Sequence, residues 1–123
     1  MVSIAVIDND RDSCDILQAL LENEGHTVQQ FTSGKDFLAI FKPKVFRLIL
    51  MDLAMPDMDG YELLEILRRE DPSVPIVAVT ARAYQLDRDR AYTVGFSDFV
   101  TKPFTDLPRF FDLVLKHLRK NSD

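Results

Sequence analysis

The apolar positions fall into two alternating patterns. Ile4–Ile7, Leu48–Met51 and Ile76–Val79 are short unbroken apolar runs, each stopping at a polar residue: Asp8, Asp52 and Thr80. Runs of this kind read as strands covered on both faces, as in a parallel sheet. Thr27–Phe31 and Phe99–Thr101 suggest two further strands, the latter leading into Lys102-Pro103. Between them, apolar residues recur at helical spacing: Ile16, Leu17, Leu20 and Leu21; then Phe37, Leu38 and Phe41; then Leu63, Leu64 and Leu67. Tyr84–Val94 is helical in propensity but thinly apolar, anchored by Leu86, Ala91 and Val94. The last stripe holds Leu107, Phe110, Phe111, Val114 and Leu118.

Punctuation supports these bounds. Asp10 or Asp12 can cap the first helix and Gly25 can stop it; Ser33 or Thr32 can cap the second, which Pro43 closes. Asp71-Pro72 breaks the third helix, Gly95 ends the fourth and Thr105 caps the fifth. Strand and helix alternate five times. That order calls for an α/β domain with a doubly wound five-stranded parallel sheet, (βα)5, helices on both faces and right-handed crossovers.

Composition narrows the class. The 123 residues suit one domain with a real core, expected to span 1–123 without an output domain. A balance of 46% hydrophobic and 28% charged residues is globular, and the net charge of −5 argues against nucleic-acid binding. No apolar run is long enough for a membrane span and no signal-peptide pattern is visible, so a cytoplasmic location is expected, with no membrane partner. The single Cys14 has no internal disulfide partner and is read as a small packed hydrophobe. His26 and His117 are far apart in sequence and are read as structural or exposed.

Parallel strands put their carboxyl ends on one edge, where open α/β sheets hold their ligands. That edge collects Asp8, Asn9 and Asp10, then Asp52, Thr80 and Lys102. Acids, a hydroxyl and an ammonium together suit phosphoryl transfer with a divalent metal. Hard oxygens favour Mg²⁺, lysine and threonine can hold phosphoryl oxygens, and a carboxylate can serve as nucleophile. Taken singly these residues read differently: Asp52 as a cap or salt-bridge partner, Asp10, Asp57 and Asp59 as turn and capping residues, and Lys102 as a surface cation. Asp87-Arg88-Asp89-Arg90 reads as a solvated helix face. The convergence of the strand ends decides for the site.

Five motifs in order then carry a resemblance over essentially the whole chain. They are Asp8-Asn9-Asp10, Met51-Asp52-Leu53-Ala54-Met55-Pro56, Asp59-Gly60, Val79-Thr80-Ala81 and Val100-Thr101-Lys102-Pro103-Phe104. The chain resembles a two-component response-regulator receiver domain, CheY-like, with a flavodoxin-like three-layer sandwich. The resemblance implies that Asp52 accepts a phosphoryl group from a phosphohistidine on a sensor histidine kinase or histidine phosphotransfer protein. It implies one Mg²⁺ ion held by Asp8, Asn9, Asp52 and the backbone carbonyl of Ala54, with Asp10 a further candidate. Thr80 and Phe99 would switch, Lys102 would bind a phosphoryl oxygen, and the Lys102-Pro103 bond would be cis. The domain would catalyse only its own phosphorylation and dephosphorylation. Its output would pass to a downstream protein, or to self-association, through the Tyr84–Leu118 face: Tyr84–Val94, Phe99 and the last helix.

Three departures from the family pattern carry expectations. Asn9 stands where a second acid is usual, which predicts weaker Mg²⁺ binding unless Asp10 replaces the charge. Ala54 and Arg82, at positions that tune dephosphorylation, predict a long-lived phosphorylated state. Phe99 in place of Tyr lacks a hydroxyl and favours an inward position. Among rivals, a flavodoxin-type binder needs a hydroxyl- and glycine-rich phosphate loop after the first strand. A haloacid-dehalogenase phosphatase needs a second Asp where Ala54 stands, and no Walker, nucleophile-elbow or zincin motif is present. The serious alternative is a receiver-shaped interaction module, not phosphorylated because Asn9 weakens the metal site.

Overall fold

The apolar runs form the centre of a single sheet. In the computed structural model, which describes residues 3–53, 55–81, 93, 95–102 and 106–120, the strands are β1 (Ile4–Ile7), β2 (Val28–Phe31), β3 (Leu48–Asp52), β4 (Ile76–Thr80) and β5 (Asp98–Thr101). All neighbours pair in parallel in the order β2-β1-β3-β4-β5. Every residue of β1 and β4 is buried, as are Leu48–Met51 of β3, whereas the edge strands β2 and β5 are only partly covered. The unbroken runs and the two-sided cover are thus one fact seen twice.

Four helices are described: α1 (Arg11–Asn23), α2 (Gly34–Ile40), α3 (Gly60–Glu70) and α4 (Leu107–Lys120). Side chains alternate across the pleat, so each strand feeds two cores. Ala5, Ile7, Ile49, Met51, Ile76 and Ala78 meet Phe37 of α2 and the leucines of α3, Leu63, Leu64 and Leu67. Ile4, Val6, Leu48, Leu50, Val77 and Val79 meet Cys14, Leu17 and Leu21 of α1 and Phe110, Val114 and Leu118 of α4. This is the doubly wound, flavodoxin-like α/β arrangement expected from the element order.

Local polar chemistry fixes the element ends. Asp10 caps α1 by accepting from Asp12 N at 3.0 Å, Ser33 caps α2 through Asp36 N at 3.2 Å, and Asp59 caps α3 through Tyr61 N at 2.7 Å. Beyond α1, Gly25 takes a φ of 93°, a left-handed conformation that glycine adopts without strain. The Asp71 carboxylate, pushed up by burial but held lower by bonds from Ser73, Lys44 and Val74, ties the α3–β4 turn to the segment before β3. Arg68 donates to Gly95 O through Nε at 2.9 Å and Nη2 at 2.7 Å, bracing the approach to β5 against α3.

Two expectations need correction. Ile16 does not join the buried stripe of α1; it is 56% exposed, and the inward face runs through Cys14, Leu17 and Leu21. The last helix is capped by Asp106, which accepts from Arg109 N at 3.1 Å, one residue later than Thr105. The helix expected over Tyr84–Val94 lies, Thr93 apart, outside the described residues. So do Ala54, Arg82, Pro103 with its peptide bond, Phe104 and Thr105.

Candidate functional site

Register brings the polar strand ends together. Ile7 pairs with Met51, so Asp8 and Asp52 are the next residues on adjacent strands; Asp52 pairs with Val79 and Thr80 with Thr101. Lys102 N donates to Thr80 O at 2.8 Å, which carries the β4–β5 ladder one step further and delivers the lysine to the same edge.

The lysine is the hub. Its Nζ donates to Asp8 Oδ2, forms an ion pair with Asp52 Oδ2 at 3.5 Å, and lies 3.3 Å from Ser13 Oγ. Asp8 is 1% exposed, and its other oxygen accepts from Asp10 N at 2.9 Å. Burial pulls the Lys102 pKa down, but the hydrogen bond to Asp8 and the charges of Asp52 and Asp8 outweigh it, and the net shift is upward. The lysine is therefore a fixed cation between two carboxylates. Thr80 is buried beside it, and Phe99 is half-buried against the core shared by α2 and α3.

The expected metal ligands are only partly gathered. Among the described residues, no three His, Cys, Asp or Glu side chains cluster closely enough to hold a metal. Asn9 is exposed. Asp10 is also exposed, but its carboxylate is engaged by Asp12 N and by the Ser13 hydroxyl at 3.3 Å, so it serves α1 first. Asp8 and Asp52 remain, two hard-oxygen donors already sharing one cationic neighbour. That set fits Mg²⁺, which takes one or two carboxylates and keeps several waters.

Ser13 was not singled out by the sequence, although a hydroxyl three residues after an N-cap faces back towards the cap. The remaining candidates are structural. Cys14 Sγ donates to Asp8 O at 3.2 Å, and burial, reinforced by Asp8, pushes the thiol up to about 11, which makes it unreactive. His117 is buried and lies 3.2 Å from Asp98 Oδ2, joining α4 to β5.

The response regulator receiver domain profile matches residues 4–114. The chain belongs to the response regulator receiver family. It is 37% identical to an uncharacterised 14.6 kDa protein of Leptolyngbya boryana, covering 86% of this chain and 82% of that one. It is 34% identical to the regulatory protein VanRc of Enterococcus gallinarum, covering 85% of this chain and 45% of the relative, so it spans less than half of that protein's length. A CheY-like receiver domain structure from Methanospirillum hungatei aligns over 99% of this chain and 97% of its own, with a TM-score of 0.88 and 25% identity.

Membership makes this a signalling domain rather than a conventional enzyme. No helix among the described residues is long and apolar enough to cross a membrane.

Proposed function

We propose that Asp52 is the phosphoacceptor of a Mg²⁺-dependent receiver that takes its phosphoryl group from a phosphohistidine. The observation that carries the reading is the single Lys102 ammonium in contact with both Asp8 and Asp52 at the carboxyl edge of the sheet. An Asp52 oxygen attacks phosphorus as the donor's P–N bond breaks and the imidazole leaves with its electron pair. Lys102, held protonated, moves from its two carboxylate partners to a phosphoryl oxygen, and the Thr80 hydroxyl donates to another. Asp8 and Asp52, with Asn9 and the backbone carbonyl of residue 54, would hold Mg²⁺, which neutralises charge on the transferring group. Thr80 and Phe99 then transmit the change to β5 and α4, where a downstream protein or a second copy docks. Acetyl phosphate tests the chemistry: intact mass gains one phosphoryl group with Mg²⁺ present and none without it.

Asn9 supports a quantitative expectation. With Asp10 committed to the α1 cap, the site has two carboxylates where three would bind a dication more tightly. A unit charge at 4 Å is worth about 4 kcal/mol at a dielectric of 20, most of it offset by solvation, so Asn9→Asp should tighten Mg²⁺ binding by about tenfold. Calorimetric titration checks this, and equal or weaker binding by the variant refutes it. The same residue favours the alternative of a receiver-shaped interaction module, which predicts no gain of mass from any donor. Ala54 has no side-chain polar group to hold an attacking water, and Arg82 adds a cation nearby in sequence. The phosphorylated protein is therefore expected to persist for minutes or longer after donor removal; a half-life of seconds contradicts that reading.

A further inference from the structure

Ser13 stands in the first turn of α1 and is joined to two charged groups at once. Its hydroxyl donates to Asp10 Oδ2 at 3.3 Å, since an ionised carboxylate can only accept, and its Oγ accepts from Lys102 Nζ at 3.3 Å. An ammonium has three N–H groups. Around Lys102 Nζ stand three acceptors: Asp8 Oδ2, Asp52 Oδ2 at 3.5 Å and Ser13 Oγ. The root of the lysine is fixed separately, by the bond from its backbone N to Thr80 O at 2.8 Å. Ser13 is thus the neutral one of these three acceptors. It is itself anchored to the cap of α1, because the other oxygen of Asp10 accepts from Asp12 N at 3.0 Å.

We propose that Ser13 is a positioning residue for phosphoryl transfer, holding the Lys102 ammonium at the strand-end site through a contact that outlasts its carboxylate contacts. The inference rests on the Mg²⁺-dependent reading above. In that reading Asp8 and Asp52 turn to the cation and Asp52 takes the phosphoryl group, so each loses part of its hold on the lysine. Ser13 takes part in neither event, and its lone pair stays available to the ammonium. Without it, the flexible four-carbon stem of the lysine must be ordered afresh as the transition state forms. Ser13 therefore acts through Lys102 and touches no reacting atom.

The experiment follows phosphoryl mass gain from acetyl phosphate over time at saturating Mg²⁺, for wild type, Ser13→Ala and Ser13→Thr. Denaturant unfolding is measured for the same proteins, for Lys102→Met and for the Ser13→Ala, Lys102→Met double variant. Alanine is the better helix former, so Ser13→Ala should fold. It should gain the phosphoryl group about tenfold more slowly, the rate equivalent of one hydrogen bond to a charged group. Ser13→Thr keeps the hydroxyl and should restore most of the rate; a threonine variant as slow as the alanine one overturns the proposal. In unfolding, the loss caused by Ser13→Ala should shrink in the Lys102→Met background, because groups in contact couple. A residue that serves only the α1 cap costs the same stability in both backgrounds, and that result overturns the proposal even if the rate falls. Wild type that gains no phosphoryl group removes the functional reading together with this inference, whereas Ser13→Ala protein as fast as wild type removes the inference alone.

Discussion

Asp52→Asn protein incubated with acetyl phosphate and Mg²⁺ should gain no phosphoryl mass, while wild type gains a single group. The amide that replaces the carboxylate has nearly the same shape but no anionic oxygen to attack phosphorus. Neighbouring acids cannot substitute. Asp8 is sealed from solvent and engaged by Lys102 and Asp10 N, and Asp10 is engaged by the first turn of α1. The variant should fold normally, because Asp8 is the closer of the lysine's two carboxylates and remains in place. A phosphoryl group on folded Asp52→Asn protein would place the acceptor elsewhere and end the assignment.

Lys102→Met should destabilise the protein by about 3 kcal/mol, since removing one partner of a buried pair leaves the other charge uncompensated. Asp8, with 2% of its side chain accessible, is the group left behind. Adding Mg²⁺ should restore much of the loss by supplying another cation to the two carboxylates; a metal at a hundredfold excess over its dissociation constant returns about 2.7 kcal/mol. The pH dependence has a definite sign. The lysine's folded-state pKa lies above its ordinary 10.5, so its stabilisation is fully present below that value and is lost as pH rises through the folded value. The gap between wild type and Lys102→Met in denaturant unfolding should therefore hold constant through neutral pH and close in alkali. A variant as stable as wild type at neutral pH, or a gap that stays open in strong alkali, contradicts this account.

The two proposals draw on parts of the chain that were unequally legible in its sequence. β1, β3 and β4 could be read because burial on both faces leaves no polar position inside the run, and their last residues mark the edge directly. The grouping of Asp8, Asp52, Thr80 and Lys102 follows from that edge alone. Ile16 was misplaced because apolar residues at helical spacing do not say which of two adjacent stripes faces the sheet. Cys14, treated as an isolated small residue, marks the correct one. Thr105 and Asp106 are both competent caps, and only backbone geometry chooses between them. Asp57 looked like a local turn residue because nothing in a linear pattern reports a partner 24 positions away, the Ser33 hydroxyl that donates to it. The Arg68 brace on Gly95 was invisible for the same reason, as were the Lys102 contact with Ser13 and the His117–Asp98 pair.

The enclosure of Leu48–Met51 in β3 also bears on how the nascent chain avoids self-association. Leu48–Met51 is a hydrophobic, β-prone segment that would stack readily with copies of itself before both helical layers close over it. Charges and prolines at the margins of such a segment interrupt stacking, and here Arg47 stands on one side with Asp52 and Pro56 on the other. The Asp52 carboxylate, proposed above as the phosphoacceptor, thus also stands where a gatekeeper would during synthesis, and neutralising it would remove a safeguard against aggregation.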